Sequence, residues 1–132
     1  MSQLEIKLLK KIEEAGYPTP ERDTADFIPG RQYEADFLWR FPNGPYAGLA
    51  VEVQGGHWMR AQPDKKGIRR GVGHASPQHI ERDCEKLCLG TLSGWLMLLV
   101  TGKMIRDGRA LEWIRQGLVI GGLIEQPAGL LD

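Results

Sequence analysis

"LAVEVQGGHW", residues 49–58, decides how the rest of the chain is read. Leu49, Val51 and Val53 are strand formers, and Gly55-Gly56 ends the run. Glu52 and Gln54 lie two apart, so in a strand both point to one face. Just upstream, "RQYEADFLWRF", 31–41, alternates as a strand does. Tyr33, Ala35, Phe37 and Trp39 fall on one side, Glu34, Asp36 and Leu38 on the other. "PNGP" between the two runs is a strong turn, so together they read as a β-hairpin. That hairpin brings Asp36 and Glu52 near each other. Two such carboxylates cost free energy together unless a cation sits between them. Mg²⁺ is the usual answer, a hard ion that takes carboxylates, waters and phosphate oxygens. Glycines at 55 and 56 would let a phosphodiester backbone come close. The plainer reading, solvated carboxylates on an exposed sheet face, stays open on these residues alone.

Residues 2–15 read as an amphipathic helix. Ser2 and Glu5 form a capping-box pattern, Leu4, Leu8 and Ile12 an apolar stripe, and Gly16 the stop. A proline-rich loop, "YPTPERD", precedes a short strand expected at 25–29. Downstream, Ser76-Pro77 opens a helix over 77–93 with Ile80, Cys84, Leu87 and Cys88 inward, and Gly94 closes it. "WLMLLVT" is short enough for a buried strand, and a last helix is expected over 107–118. The predicted order is α-β-β-β-α-β-α, an α/β fold in which a mixed sheet is flanked by helices. A strand–helix–strand step over 49–54, 77–93 and 95–101 favours a parallel pair.

At 132 residues the chain makes one domain, 1–132, with a real core. Formal net charge is zero, so a nucleic-acid partner needs a local basic patch. Residues 57–75 supply one: a Gly-rich, aperiodic flap with Arg60, Lys65, Lys66, Arg69 and Arg70 against Asp64 alone. His57 and His74 in or beside it suit general acid–base work, phosphate donation or an ordinary surface. No apolar run reaches membrane-spanning length, and the N-terminus is not patterned as a signal peptide. Cys84 and Cys88, four apart, fit a reduced, cytoplasmic protein. With His74 and His79 they offer N/S donors, but their spacing matches no standard zinc pattern, and a structural Zn²⁺ is not expected.

The combination resembles the PD-(D/E)XK nuclease superfamily: a helix with a Glu, a strand Asp, an E-x-K strand, then helix and strand. More closely it is similar to small endonuclease-like proteins of bacteriophages and prophages, and distantly to very-short-patch mismatch endonucleases. The matching segments are "ADFLW", "LAVEVQGGHW", "GVGH" and "ERDCEKLCLGTLSGWLMLLVTGKMIRDGRALEWI". The resemblance runs from about residue 2 to 118, most specifically through 31–58 and 74–108. It implies a restriction-endonuclease-like fold with Asp36 and Glu52 as metal ligands and the Val53 carbonyl as a third. Glu5 would assist the metal through water, and His74, Asp83 and Lys86 match positions around the second helix. The ion would be Mg²⁺, with Mn²⁺ substituting. One position departs: Gln54 stands where E-x-K has its lysine. Glutamine positions water but carries no charge, and Lys86 could reach in from the helix to supply it.

The expected function is therefore a metal-dependent DNA endonuclease, with branched, nicked or mismatched DNA among its candidate substrates. Its setting would be the cytoplasm, that of a bacterial host if phage-encoded. A catalytically inactive DNA-binding module on the same fold is the alternative that Gln54 raises. A structural protein with no nucleic-acid role is a weaker third. A junction-cutting enzyme would be a homodimer, and an apolar tail over 119–132 could supply the interface.

Overall fold

The computed structural model describes residues 1–54 and 77–126. Gly55, Gly56, the basic flap with Arg60, Lys65, Lys66, Arg69 and Arg70, His57, His74, and the end of the tail lie outside the described residues. The elements are α1 (Gln3–Glu14), β1 (Glu21–Thr24), β2 (Ala35–Arg40), β3 (Gly48–Val53), α2 (Pro77–Leu92), β4 (Trp95–Val100), α3 (Gly102–Arg106) and α4 (Arg109–Ile120). They build an α/β fold around an open, mixed sheet of four strands in the order β1-β2-β3-β4. β1, β2 and β3 pair antiparallel, and β4 lies parallel to β3 across the α2 crossover. Among the described residues no helix is long and apolar enough to cross a membrane.

The hairpin forms where the turn chemistry requires it. Phe41 N–H bonds the Ala47 carbonyl at 2.9 Å, and Gly44 takes φ 96° in the turn. Its register pairs Phe37 with Val51, Leu38 with Ala50 and Trp39 with Leu49. Both faces of this sheet are covered. Phe37, Trp39, Leu49 and Val51 join Leu8, Ile12, Ile114 and Leu118 in one core; Leu38 and Ala50 join Phe27, Ile28 and Trp95 in another. The exposed-face reading of the hairpin therefore does not hold.

Three sequence expectations need correction. The first strand is Glu21–Thr24, not 25–29. Asp26 and Gly30 take φ 69° and 76°, which breaks any extended run between them. Phe27 and Ile28 instead plug the second core, and the Phe27 carbonyl accepts the Trp95 indole N–H at 2.9 Å. β1 manages its charges by pairing, with Arg40 Nε on Glu21 at 2.7 Å and the Arg22 guanidinium 4.4 Å above the Phe37 ring. Second, the arc of α2 carrying Ile80, Cys84, Leu87 and Cys88 is exposed rather than inward. Lys86, Leu89 and Gly90 face the sheet, and a Cβ on Gly90 would lie 2.6 Å from the Met97 sulfur. Third, the helix expected over 107–118 is α4, but a short helix absent from the expected order, α3, comes before it. α3 starts on a Thr101 cap, and Gly108 at φ 90° breaks the chain before α4. After α4, Leu123 and Ile124 pack on the first core, so this part of the tail does not leave it to form an interface.

The hairpin closes tightest at Gly48. A Cβ there would lie 2.1 Å from the Trp39 carbonyl oxygen and 2.5 Å from the Trp95 ring. Backbone cannot yield as a side-chain tip can, so Gly48→Ala is expected to lower stability by about 2 kcal/mol. Denaturant unfolding at an unchanged m-value checks this.

Candidate active site

One step beyond the Phe37–Val51 pair, the same register sets Asp36 opposite Glu52. This is the end of the sheet onto which the first turns of α2 fold. Asp36 Oδ2 accepts the Val53 N–H at 2.7 Å, which fixes the carboxylate across the strand end. Lys86 enters from α2 and donates to Glu52 Oε1 and to the Glu34 carbonyl. Both side chains of the Lys86–Glu52 pair are only 14% exposed. Lys86 is three residues from Asp83, yet it turns inward to Glu52 rather than forming a plain surface pair along the helix.

Burial sets the electrostatics. It pulls the Lys86 ammonium down to about 8, against the opposing pull of the Asp36 and Glu34 carboxylates. Burial also pushes the Asp36 carboxyl above the usual carboxylate range. The Val53 N–H and Lys86 counteract that rise, while Glu5 and Asp23 add to it. A carboxylate held partly desolvated among other carboxylates is short of positive charge.

Glu5, Asp23 and Asp36 bring one oxygen each within 4.8 Å of one another. Each comes from a different element. Glu5 sits in the first turn of α1, where it also completes the capping box with Ser2 at 3.1 and 3.2 Å. Both sequence readings of Glu5 thus hold geometrically. Asp23 lies in β1 between the Arg22–Phe37 and Thr24–Ala35 pairs, which sets it opposite Asp36. Its φ of 49° is in the left-handed region, which aspartate tolerates better than most residues. Arg22 ties the group together: Nη2 donates to Glu5 Oε1 at 3.3 Å and Nε to the Asp36 carbonyl at 3.1 Å. Three oxygen donors of this kind fit a hard divalent cation. Exposed acids also gather without one, and the cluster does not select a metal.

The expected ligand set was Asp36, Glu52 and Val53. The geometry groups Asp36 with Glu5 and Asp23 instead, engages Glu52 with Lys86, and uses Val53 through its N–H. Gln54 lies beside Glu52, Asp83 and Lys86 along a small adjoining cleft, its N–H bonded to the Val100 carbonyl at 2.8 Å. Trp95 is core, 6% exposed and edge-on to Phe27 at 5.5 Å. Arg22 and Asp23 were missed because "ERDT" has no apolar alternation to mark a strand. The only trace in the sequence is an Arg-Asp step between two strand-like regions.

Asp36, Glu52 and Lys86 meet at the floor of an open cleft of about 430 Å³. Its walls add Glu34 and Asp83 to the acids and Arg82 to the bases. Four carboxylates against two cations leave the cleft net acidic. A polyanion would enter it only with added positive charge. Compared with protein-family models, curated proteins and solved structures, the chain gives no match.

Proposed function

We propose that the protein is a metal-dependent DNA endonuclease of the PD-(D/E)XK type, hydrolysing phosphodiester bonds. The observation that carries this reading is the convergence of Asp36, Glu52 and Lys86 on one cleft, from a hairpin and the following helix. Beside it, three carboxylates stand close enough to share a cation. Glu5, Asp23 and Asp36 would hold that ion. When bound, Mg²⁺ or Mn²⁺ neutralises phosphate charge and makes water a better nucleophile.

The chain's own residues do the rest. Val53 N–H and Arg22 fix Asp36 and Glu5, so the donors are set before the ion arrives. Lys86 offers the charge that Gln54 lacks, placed against Glu52 from α2 instead of from β3. Its ammonium donates hydrogen bonds to the attacking oxygen or to a phosphate oxygen as negative charge grows there. Glu52 holds Lys86 at the cleft floor, and Gln54 can orient water by hydrogen bonding.

One observation favours the second reading, a binding module without activity. The Lys86–Glu52 pair satisfies Glu52 without any metal. A panel of labelled linear, nicked, mismatched, flapped and four-way DNAs separates the two. We expect cleavage with Mg²⁺ or Mn²⁺, none in a chelator, and loss in both Asp36→Ala and Glu52→Ala. DNA binding with no cleavage in either metal would establish the binding module.

A further inference from the structure

One wall of the cleft is built from planar groups rather than acids. Tyr33, half-buried, packs on the second core just ahead of β2. The Arg82 guanidinium lies 5.5 Å from its ring centroid and is exposed. His79, also exposed, stands one turn earlier on α2, on the same side as Arg82, and lines the same cleft.

These groups have a common use. A guanidinium braced on a tyrosine ring presents a flat cationic face, on which a nucleobase stacks and a phosphate is bound. Base–aromatic stacking is tolerant of sequence because every base has a π-face. In continuous duplex both faces of each base are already stacked on neighbours, so only an unpaired or extruded base can use the wall. At about 430 Å³ the cleft is in the range that encloses one small ligand.

We propose that Tyr33, His79 and Arg82 form a subsite for an unpaired nucleotide beside the carboxylate centre, making the substrate DNA with a single-stranded flap or end rather than continuous duplex. This rests on the nuclease reading for its cleavage arm but not for its binding arm. With the full chain, affinity is measured in Ca²⁺ for single-stranded, flapped and blunt duplex oligonucleotides, and cleavage in Mn²⁺. The unpaired substrates are expected to bind about tenfold more tightly than duplex, the effect of about one base stack. Arg82→Ala and Tyr33→Leu should each bring that ratio near one, and Tyr33→Phe, which keeps the ring, should restore it. Leucine preserves the packing, and melting curves identify any variant that fails to fold, for which Arg82→Ala at the exposed position substitutes. Equal wild-type affinity for paired and unpaired DNA, or a preference that survives both substitutions, overturns the subsite. Metal-dependent cutting of duplex with no flap preference overturns it while leaving the nuclease standing. Tight, Tyr33-dependent binding of single strands with no cutting in any metal supports the subsite and overturns the nuclease.

Discussion

Asp36→Asn is expected to abolish cleavage while making the metal-free protein more stable. The carboxylate is a candidate cation ligand from β2, and asparagine keeps its shape and its acceptor for the Val53 N–H. What is lost is the negative charge. Cleavage in Mg²⁺ should fall by about 10³-fold, the upper end of what one preorganised electrostatic contact contributes. Stability moves the other way because burial has already pushed the Asp36 carboxyl above its ordinary value. As pH rises past that ordinary value, the unfolded chain gives up its proton before the folded protein does. The favourable contribution of neutral Asp36 is therefore present at low pH and lost as pH rises through its folded value. The substituting asparagine has no proton to lose. In a chelator at neutral pH the variant's melting temperature should exceed wild type by about 3 °C. A variant that is inactive and less stable would mean that Asp36 serves the fold rather than a cation.

Lys86→Met should reduce cleavage by about 10²-fold and also remove a distinctive pH dependence of stability. Methionine retains most of the apolar stem and removes the ammonium. Lys86 has its folded pKa drawn down from 10.5 to about 8 by burial. Between those two values the unfolded chain holds a proton that the folded protein has released. Stability of the metal-free wild type should thus rise with pH across that window. The same rise should be missing in Lys86→Met, as read by denaturant midpoints at several pH values. Lys86→Arg would keep the charge but not the slope. If Lys86→Met cleaves normally, the charge missing at Gln54 is supplied elsewhere or is not needed.

The hairpin was legible because its signals are local. Alternation over 31–41, the Asn43-Gly44 turn and the Val-Glu-Val run each constrain their neighbours in sequence, and Asp36 and Glu52 come together as those signals require. The Ser2–Glu5 box and the parallel β3–β4 step were readable for the same reason. What failed depends on contacts distant in sequence. β1 is an edge strand of charged residues, and it pairs because Arg40, Phe37 and Glu5 wait for Glu21 and Arg22 elsewhere in the chain. The rotation of α2 misled for a related reason. Hydrophobic periodicity points Ile80, Cys84 and Leu87 inward, but a buried ammonium and a close glycine contact turn a different arc to the sheet. Asp23 could not be assigned to the acidic group until β1 had been placed.

The separation between Lys86 and Glu52 along the chain also orders the assembly of the site in time. Asp36 and Val53 are 17 residues apart and belong to one hairpin, whereas Glu52 and Lys86 are 34 apart, joined only when α2 docks and β4 pairs alongside β3. Closing the longer loop costs more entropy, and parallel pairing is the slower event. The acids are gathered first and their lysine arrives afterwards. On partial unfolding the order reverses: α2 lifts away with its ammonium while the hairpin persists. The chain would then lose its chemistry before it loses its sheet, and any activity that survives a mild denaturant reports on that docking step rather than on global stability.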